Sequence, residues 1–166
     1  MEEAKNTEQS QTEKKLIITL IGESLAKKNF KFFFMGKSEK NEACDKCPTY
    51  NVCLLNLEPN RVYQIVELRE IKHPCKIHMK EEVQVVECVL ADVETVIESK
   101  QCFVGSTLIY QKPECDESDC PYKELCFPVY LKEGDKIKIL EIFEDEKLKE
   151  CKTRGNVKKV LVSLNN

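Results

Sequence analysis

Apolar and polar residues alternate in several short segments of the chain, and this pattern predicts strands. Val, Ile, Leu and aromatic residues dominate these segments, and a period of two places every second side chain on one face of a sheet. Helical patterns are weaker and extend for one or two turns, at 23–28 and 122–125. We therefore expect an α+β, mostly β fold. The predicted strands cover 16–22, 30–36, 61–70, 83–91, 106–111, 135–143 and 157–164.

Two parts of the chain repeat one pattern of cysteines, turn and strand. Asn60 and Gly134 fall at the same turn position, and these residue types tolerate positive φ best. Because strand, turn and cysteine spacing recur together, we expect two pseudo-repeated small β units, at about 16–80 and 81–166. The first copy contains CPTYNVC (47–53), LEPNRVYQIVEL (57–68) and Cys75, and the second contains CPYKELC (120–126), LKEGDKIKILEI (131–142) and Cys151.

Cysteine is the compositional outlier, with 10 in 166 residues. Eight of these cysteines form two sets of four, and four thiolates are what a tetrahedral zinc site or an iron–sulfur cluster requires. The sequence therefore predicts that each β unit is stapled by a four-cysteine metal site. The two predicted ligand sets are Cys44, Cys47, Cys53 and Cys75, and Cys115, Cys120, Cys126 and Cys151.

Ligand spacing bears on which metal these sets bind. Three cysteines of each set lie close together in sequence and the fourth follows a strand, whereas zinc ribbons usually take their ligands as two separated pairs. The run CDKCPTYNVC (44–53) also resembles the C-x2-C-x5-C iron–sulfur element of certain nucleases, in this local element alone. We therefore expect two iron–sulfur clusters of the [4Fe–4S] type, with two zinc ions as the alternative. Thiol or disulfide chemistry is a third possibility.

Four further residues leave the ligand assignment open. His73 and His78 flank Cys75, and either could replace a thiolate or donate a hydrogen bond to a sulfur from outside the ligand set. Cys88 lies in an apolar strand pattern, where a free cysteine behaves as a small buried hydrophobe. Cys102 could be a ligand or a reactive thiol, but core or surface packing is the simpler interpretation.

Charge and the N-terminal sequence limit the partners and the compartment. The net charge of −3 excludes a broadly basic nucleic-acid binder, and scarce arginine disfavours sequence-specific nucleic-acid binding. Residues 1–14 form a polar, predicted disordered tail without the apolar run of a secretory signal. No apolar segment is long enough to span a bilayer. We therefore expect a cytoplasmic protein with reduced thiols and no membrane association.

The chain as a whole resembles uncharacterised archaeal protein family 0179. The resemblance implies an archaeal, anaerobic cytoplasm, and it implies that the two cysteine clusters are candidate iron–sulfur redox centres. It supplies no substrate, and the polar tail is an extension beyond the family's usual start. The segments that carry it are ITLIGESLAK (18–27), CDKCPTYNVC (44–53), NLEPNRVYQIVELREIKHPCKIH (56–78) and LKEGDKIKILEI (131–142).

These observations predict an iron–sulfur protein with two cysteine-ligated clusters that acts in electron transfer or redox sensing. Its partner would be an unidentified redox protein. The alternative is a structural zinc-binding protein that acts as a protein- or RNA-binding module. An enzyme is less favoured, because four cysteines per site leave no open coordination position and the sequence has no common catalytic motif. The oligomeric state is open.

Overall fold

Eight β-strands dominate the part of the chain that the structure, a computed structural model, describes. The described residues are 14–39, 42–78, 82–144, 148 and 151–164. The strands within them are β1 (Ile17–Gly22), β2 (Lys31–Phe34), β3 (Arg61–Pro74), β4 (Glu82–Leu90), β5 (Val93–Glu98), β6 (Thr107–Ile109), β7 (Lys136–Phe143) and β8 (Val157–Leu164). Two single-turn α-helices accompany them, α1 (Glu42–Asp45) and α2 (Lys123–Cys126).

The strands form two four-stranded antiparallel sheets that share one strand order. The first sheet has the order β1-β4-β3-β2, and the second has the order β5-β8-β7-β6. Every neighbouring pair is antiparallel. The prediction of a mostly β fold is therefore confirmed.

The two sheets also repeat an irregularity in their central strand pairs. The β3–β4 register shifts between Ile65 and Glu67, and the β7–β8 register shifts between Ile139 and Glu141. Such a bulge places an extra residue in one strand and increases the local twist. These positions correspond in the sequence repeat, so each sheet bends at the same place.

The turns that lead into β3 and β7 are equivalent. Asn60 has a φ of 60° and Gly134 a φ of 91°, as expected from the residue types at this position. The Asn60 amide donates to the Phe34 carbonyl at 2.6 Å, and the Gly134 amide donates to the Tyr110 carbonyl at 2.9 Å. A long connection leaves each edge strand, and the turn at its far end hydrogen-bonds back to the end of that edge strand.

The division between the sheets differs from the division expected from the sequence. Strand β4 belongs to the first sheet, so the sheets meet in sequence between Leu90 and Val93 and not near residue 80. Strand β5 was not predicted, because acidic residues interrupt the apolar pattern of VETVIE. The strand forms because neighbouring strands bury it, and the side chains of Thr95, Val96 and Ile97 are all buried.

The helical segments are all short. The turn predicted at 23–28 is a 3-10 turn at Glu23–Leu25, and the one predicted at 122–125 is α2. No helix in the described ranges is long and apolar enough to cross a membrane. Residues 1–13 of the predicted tail lie outside the described residues, whereas Lys14 donates to the Leu90 carbonyl at 2.9 Å and pairs with Asp92 at 2.5 Å.

Cys88 and Cys102 are core residues, as the simpler interpretation of each predicted. Cys88 lies on β4 and is fully buried, and burial raises the pKa of its thiol to about 12. Cys102 packs in the core of the second sheet, and its sulfur donates to the Glu98 carbonyl at 3.3 Å. Val62 and Leu90 of the first sheet pack against the same core.

Candidate metal centres

Each predicted ligand set lies on two connections of one sheet. The connection between the second and third strand carries three cysteines, and the connection after the third strand carries the fourth. In the first sheet these are 35–60 and 75–81, of which 40, 41 and 79–81 lie outside the described residues. In the second sheet they are 110–135 and 144–156, of which 145–147, 149 and 150 lie outside the described residues.

The Cys-Pro loops have the same backbone hydrogen bonds. In the first, the Cys47 carbonyl accepts from Tyr50 at 3.1 Å, and the Cys53 amide donates to Thr49 at 2.8 Å. In the second, the corresponding bonds are Lys123 to Cys120 at 3.1 Å and Cys126 to Tyr122 at 2.9 Å. Proline after the first cysteine favours this conformation, because it fixes its own φ and holds the preceding residue extended.

A buried threonine connects each loop to its sheet. Thr19 on β1 donates to the Cys53 carbonyl at 3.1 Å. Thr95 on β5 donates to the Leu125 carbonyl at 3.0 Å. Both threonines are fully buried, so each bond supplies a partner for a hydroxyl that has no access to water.

The four thiols of the first set lie close enough to influence one another electrostatically. Burial raises the pKa of Cys53 to about 11, and the charges of the other three thiols in the set, Cys75, Cys44 and Cys47, add to the increase. Burial and the charges of Cys75 and Cys47 likewise raise the pKa of Cys44. Because Coulombic interactions weaken with distance, these mutual effects place the four thiols around one region.

Cys47 differs from its neighbours in the first set. Hydrogen bonds from the Thr49 side chain and backbone lower the pKa of the Cys47 thiol below its usual range, and the two side-chain atoms lie 3.2 Å apart. A hydrogen bond to a thiolate favours the charged form. The surroundings of Cys47 therefore favour its thiolate form.

The second set lines one cavity of about 430 Å³. Cys115, Cys120, Cys126 and Cys151 all contribute to its wall. Burial raises the pKa of the Cys126 thiol, and the nearby Arg154 guanidinium opposes that increase. Arg154 Nη1 donates to Cys126 Sγ at 3.7 Å, and the guanidinium also lines the cavity.

Both sets rest on the same part of their sheets. Cys53 and Cys75 pack against a small apolar cluster of β1 and β4 that includes Leu20 and Val83. Cys126 and Cys151 pack against the equivalent cluster of β5 and β8, which includes Val96 and Val157. Each set therefore connects two loops to the buried strands beneath them.

The four residues whose role the sequence left open have different surroundings. His73 is half-buried on β3, His78 is exposed, and the two extra cysteines lie in the core. All ten cysteines are free thiols. Among the described residues, no group of three or more His, Cys, Asp or Glu side chains is arranged to hold a metal ion, so the predicted metal staples are not shown.

The donor chemistry of each set nevertheless fits a thiolate-bound metal group. The thiols of the first set influence one another's pKa values and those of the second set line one cavity, and soft thiolate ligands are those used by zinc and by iron–sulfur clusters. Sequence analysis missed the residues that support the sets, Thr19, Thr95 and Arg154. No pattern in the sequence marks these contacts, because β5 is not predicted and the contacts depend on how the loops cross a sheet.

Comparison with known proteins identifies the family. The profile of an uncharacterised protein family, UPF0179, matches residues 17–162. A UPF0179 protein of Methanothermobacter thermautotrophicus is 38% identical over 146 residues, which cover 88% of this chain and 96% of the relative. One from Methanocaldococcus jannaschii is 41% identical over 147 residues, 89% of this chain and 93% of the relative. One from Pyrococcus horikoshii is 42% identical over 130 residues, which cover 78% of this chain and 87% of the relative. No solved structure matches the chain. The chain therefore belongs to the uncharacterised protein family UPF0179.

Proposed function

We propose that this protein binds two iron–sulfur clusters, one on each four-cysteine set, and acts in electron transfer or redox sensing. The observation that supports the proposal most is that four cysteines lie on equivalent loops in each of two equivalent sheets. In the first half the thiols affect one another's pKa values, and in the second half they line one cavity. Cys44, Cys47, Cys53 and Cys75 would hold one cluster, and Cys115, Cys120, Cys126 and Cys151 the other.

The size of the second cavity supports a cluster over a single ion. Four thiolates around one zinc ion close to about 2.3 Å from the metal and leave little space between them. The cavity of about 430 Å³ that the four cysteines line has room for more than a single ion. A group of several iron and sulfide atoms suits such a volume better.

The chain's own residues would hold each cluster and tune its environment. An iron–sulfur cluster supplies one-electron transfer when bound, at a potential set by hydrogen bonds to sulfur, nearby charge and exposure. Thr49 forms such a hydrogen bond with Cys47, and Arg154 forms one with Cys126. The apolar clusters beneath the loops exclude water from one side of each set.

The loop of the second set supports a protein partner with a basic surface. Four exposed acidic residues of this loop flank Cys115 and Cys120 in sequence: Glu114, Asp116, Glu117 and Asp119. Complementary charge increases the rate at which redox proteins associate and orients them. The partner would be an unidentified redox protein.

Zinc remains the second candidate, because each set connects two loops that the sheet alone leaves apart. A structural zinc ion would stabilise such a connection, and the protein would then act as a protein- or RNA-binding module. This function would leave the protein colourless and redox-inactive.

The proposal is tested by iron, zinc and acid-labile sulfide analysis with a visible spectrum, on protein purified without oxygen. Two [4Fe–4S] clusters require about eight iron and eight sulfide per chain, and a brown protein that bleaches on reduction. A Cys102→Ala variant is the matched control, since its thiol lies in the core, and it should keep the full content. A colourless protein with about two zinc ions and no sulfide would overturn the iron–sulfur proposal in favour of the structural one.

A further inference from the structure

The two sets differ in the cation that contacts their thiols. In the second set the half-buried Arg154 donates a hydrogen bond to Cys126 Sγ at 3.7 Å. In the first set the cations that influence the thiols are Lys37, which pairs with Asp45 and acts on Cys44 through its charge, and Lys76. Lys76 is exposed and influences Cys47 through its charge. The repeat therefore preserves the four cysteines but not the electrostatic environment of the thiols.

The turn that presents the fourth cysteine of the second set also positions Arg154. Cys151 and Gly155 form an isolated β-bridge, and the Gly155 amide donates to the Cys151 carbonyl at 3.0 Å. Gly155 has a φ of 68°, which closes the turn in the left-handed region. Arg154 lies inside this turn, so placing Cys151 at the cavity also places the guanidinium beside Cys126.

We propose that Arg154 is a positioning residue of the second site, and that it makes this site retain its metal group more firmly than the first. Four metal-bound thiolates carry net negative charge, and a guanidinium that donates to one of them stabilises the loaded site. The inference rests on the proposed function in one respect, since it takes both four-cysteine sets as metal-binding.

If the bound groups are iron–sulfur clusters, the same contact has a redox consequence. Hydrogen bonds and positive charge near cluster sulfur favour the reduced, more negative state and raise the reduction potential. The second site would then have the higher potential of the two, and electrons entering at the first site would collect at the second.

Single-site proteins allow the inference to be tested. Cys47→Ala leaves the second site, and Cys120→Ala leaves the first. Arg154→Gln, Arg154→Lys and Lys152→Gln are each introduced into both backgrounds. Lys152 is the matched control, because it is exposed and lines the same cavity. Release of iron or zinc to a chromogenic chelator is followed over time, and unfolding midpoints of the metal-free proteins verify that each variant folds.

In the Cys47→Ala background, Arg154→Gln should release its metal about 10–100-fold faster, as loss of a residue supporting a ligand typically does. Arg154→Lys should fall between this variant and the parent, and Lys152→Gln should match the parent. In the Cys120→Ala background Arg154→Gln should have no effect. The inference would be overturned if Arg154→Gln accelerated metal release equally in both backgrounds or did not accelerate it in the Cys47→Ala background. It would also be overturned if Lys152→Gln accelerated release as much as Arg154→Gln does.

The same experiment separates this inference from the proposed function. A colourless, sulfide-free zinc protein overturns the iron–sulfur function, but the release of zinc still tests Arg154 as described. An iron–sulfur protein whose two sites release iron at the same rate, with or without Arg154→Gln, supports the function and overturns the inference. A protein that binds neither metal overturns both.

Discussion

Arg61 and Asp135 occupy equivalent positions in the two halves of the chain, and they form a salt bridge with each other. Each residue directly follows the positive-φ turn residue that leads into the third strand of its sheet. The guanidinium binds the carboxylate through two hydrogen bonds, Nη1 to Oδ2 at 2.5 Å and Nη2 to Oδ1 at 2.8 Å. Both side chains are largely buried, 5% and 12% exposed, so the pair lies at the junction of the halves.

A second pair repeats this relationship. Glu58 and Lys132 also correspond in the sequence repeat, and they form a salt bridge of 2.5 Å. Equivalent residues that contact each other are the hallmark of an isologous interface, in which a two-fold axis relates the partners. The two halves therefore meet as the subunits of a symmetric dimer would, and opposite charges at equivalent positions take the place of identical residues.

Loss of one member of the buried pair should destabilise the protein strongly. Arg61→Ala leaves the Asp135 carboxylate buried without its partner, which typically costs about 3–5 kcal/mol. Arg69→Ala is the matched control, because Arg69 lies on the same strand in an exposed salt bridge with Glu87, and such pairs contribute about 0–1 kcal/mol. Urea unfolding measures both. Equal losses for the two variants would contradict a buried pair.

Exchange of the charges tests the two-fold relationship directly. Arg61→Asp with Asp135→Arg should remain unstable, because the new aspartate faces Glu58 and the new arginine faces Lys132. Adding Glu58→Lys and Lys132→Glu inverts all four charges and restores each attraction. Urea midpoints should therefore recover in the quadruple variant. A quadruple variant no more stable than the double variant would show that the halves are not interchangeable at this junction.

The Arg61–Asp135 pair should make the stability of the protein fall in acid. Burial raises the pKa of Asp135, but hydrogen bonds from Arg61 and the Lys132 amide outweigh it, and the pKa lies below the ordinary value of 3.8. A carboxylate with a lowered pKa stabilises the fold fully above its unfolded pKa and loses that contribution as the pH falls through the folded pKa. Urea midpoints should thus fall as the pH drops below about 4, and fall less in Asp135→Asn, which starts lower at neutral pH. Parallel pH profiles for the two proteins would contradict this origin.

Much of the fold follows from local pattern in the sequence. Strand β8 is predicted to the residue because five of its eight residues are Val or Leu, and Asn60 and Gly134 mark the turns through their tolerance of positive φ. Local pattern does not predict strand β5, because Glu94 and Glu98 interrupt its apolar residues and neighbouring strands determine its burial. Which sheet a strand joins is a tertiary property, so local pattern does not place the boundary between the sheets at Leu90–Val93.

The candidate sites divide in a similar way. Cysteine number and spacing suffice to group the eight thiols, because four sulfur ligands are a chemical requirement that sequence displays directly. Contacts such as those of Thr19 and Arg154 depend on how loops cross a sheet, which spacing does not encode. The repeat aligns Arg61 with Asp135 in sequence. Their contact depends on how the two halves pack against each other, which the sequence alone does not show.

The buried threonines should control the two sites separately. Thr19→Val leaves the Cys53 carbonyl without its partner, and Thr95→Val does the same for the Leu125 carbonyl. An unsatisfied buried carbonyl costs about 1–3 kcal/mol, and the loop it anchored carries ligands of one site only. Each variant should lower metal content at its own site in a metal analysis. Thr107→Val, at an exposed strand position, is the control and should change neither stability nor metal content. Loss of metal from both sites in either variant would mean that the loops do not act independently.

Single cysteine substitutions decide whether there are two centres or one. Cys47→Ala and Cys120→Ala each remove one thiol from a different set, and the sets rest on separate sheets and separate apolar clusters. Each variant should therefore lose half of the bound metal in elemental analysis and keep the other half. Cys88→Ala and Cys102→Ala remove buried thiols that pack in the core, so they should lower stability but leave the metal content unchanged. Complete loss of metal from either Cys47→Ala or Cys120→Ala would instead require one centre shared between the halves, because only a common site depends on ligands from both sheets.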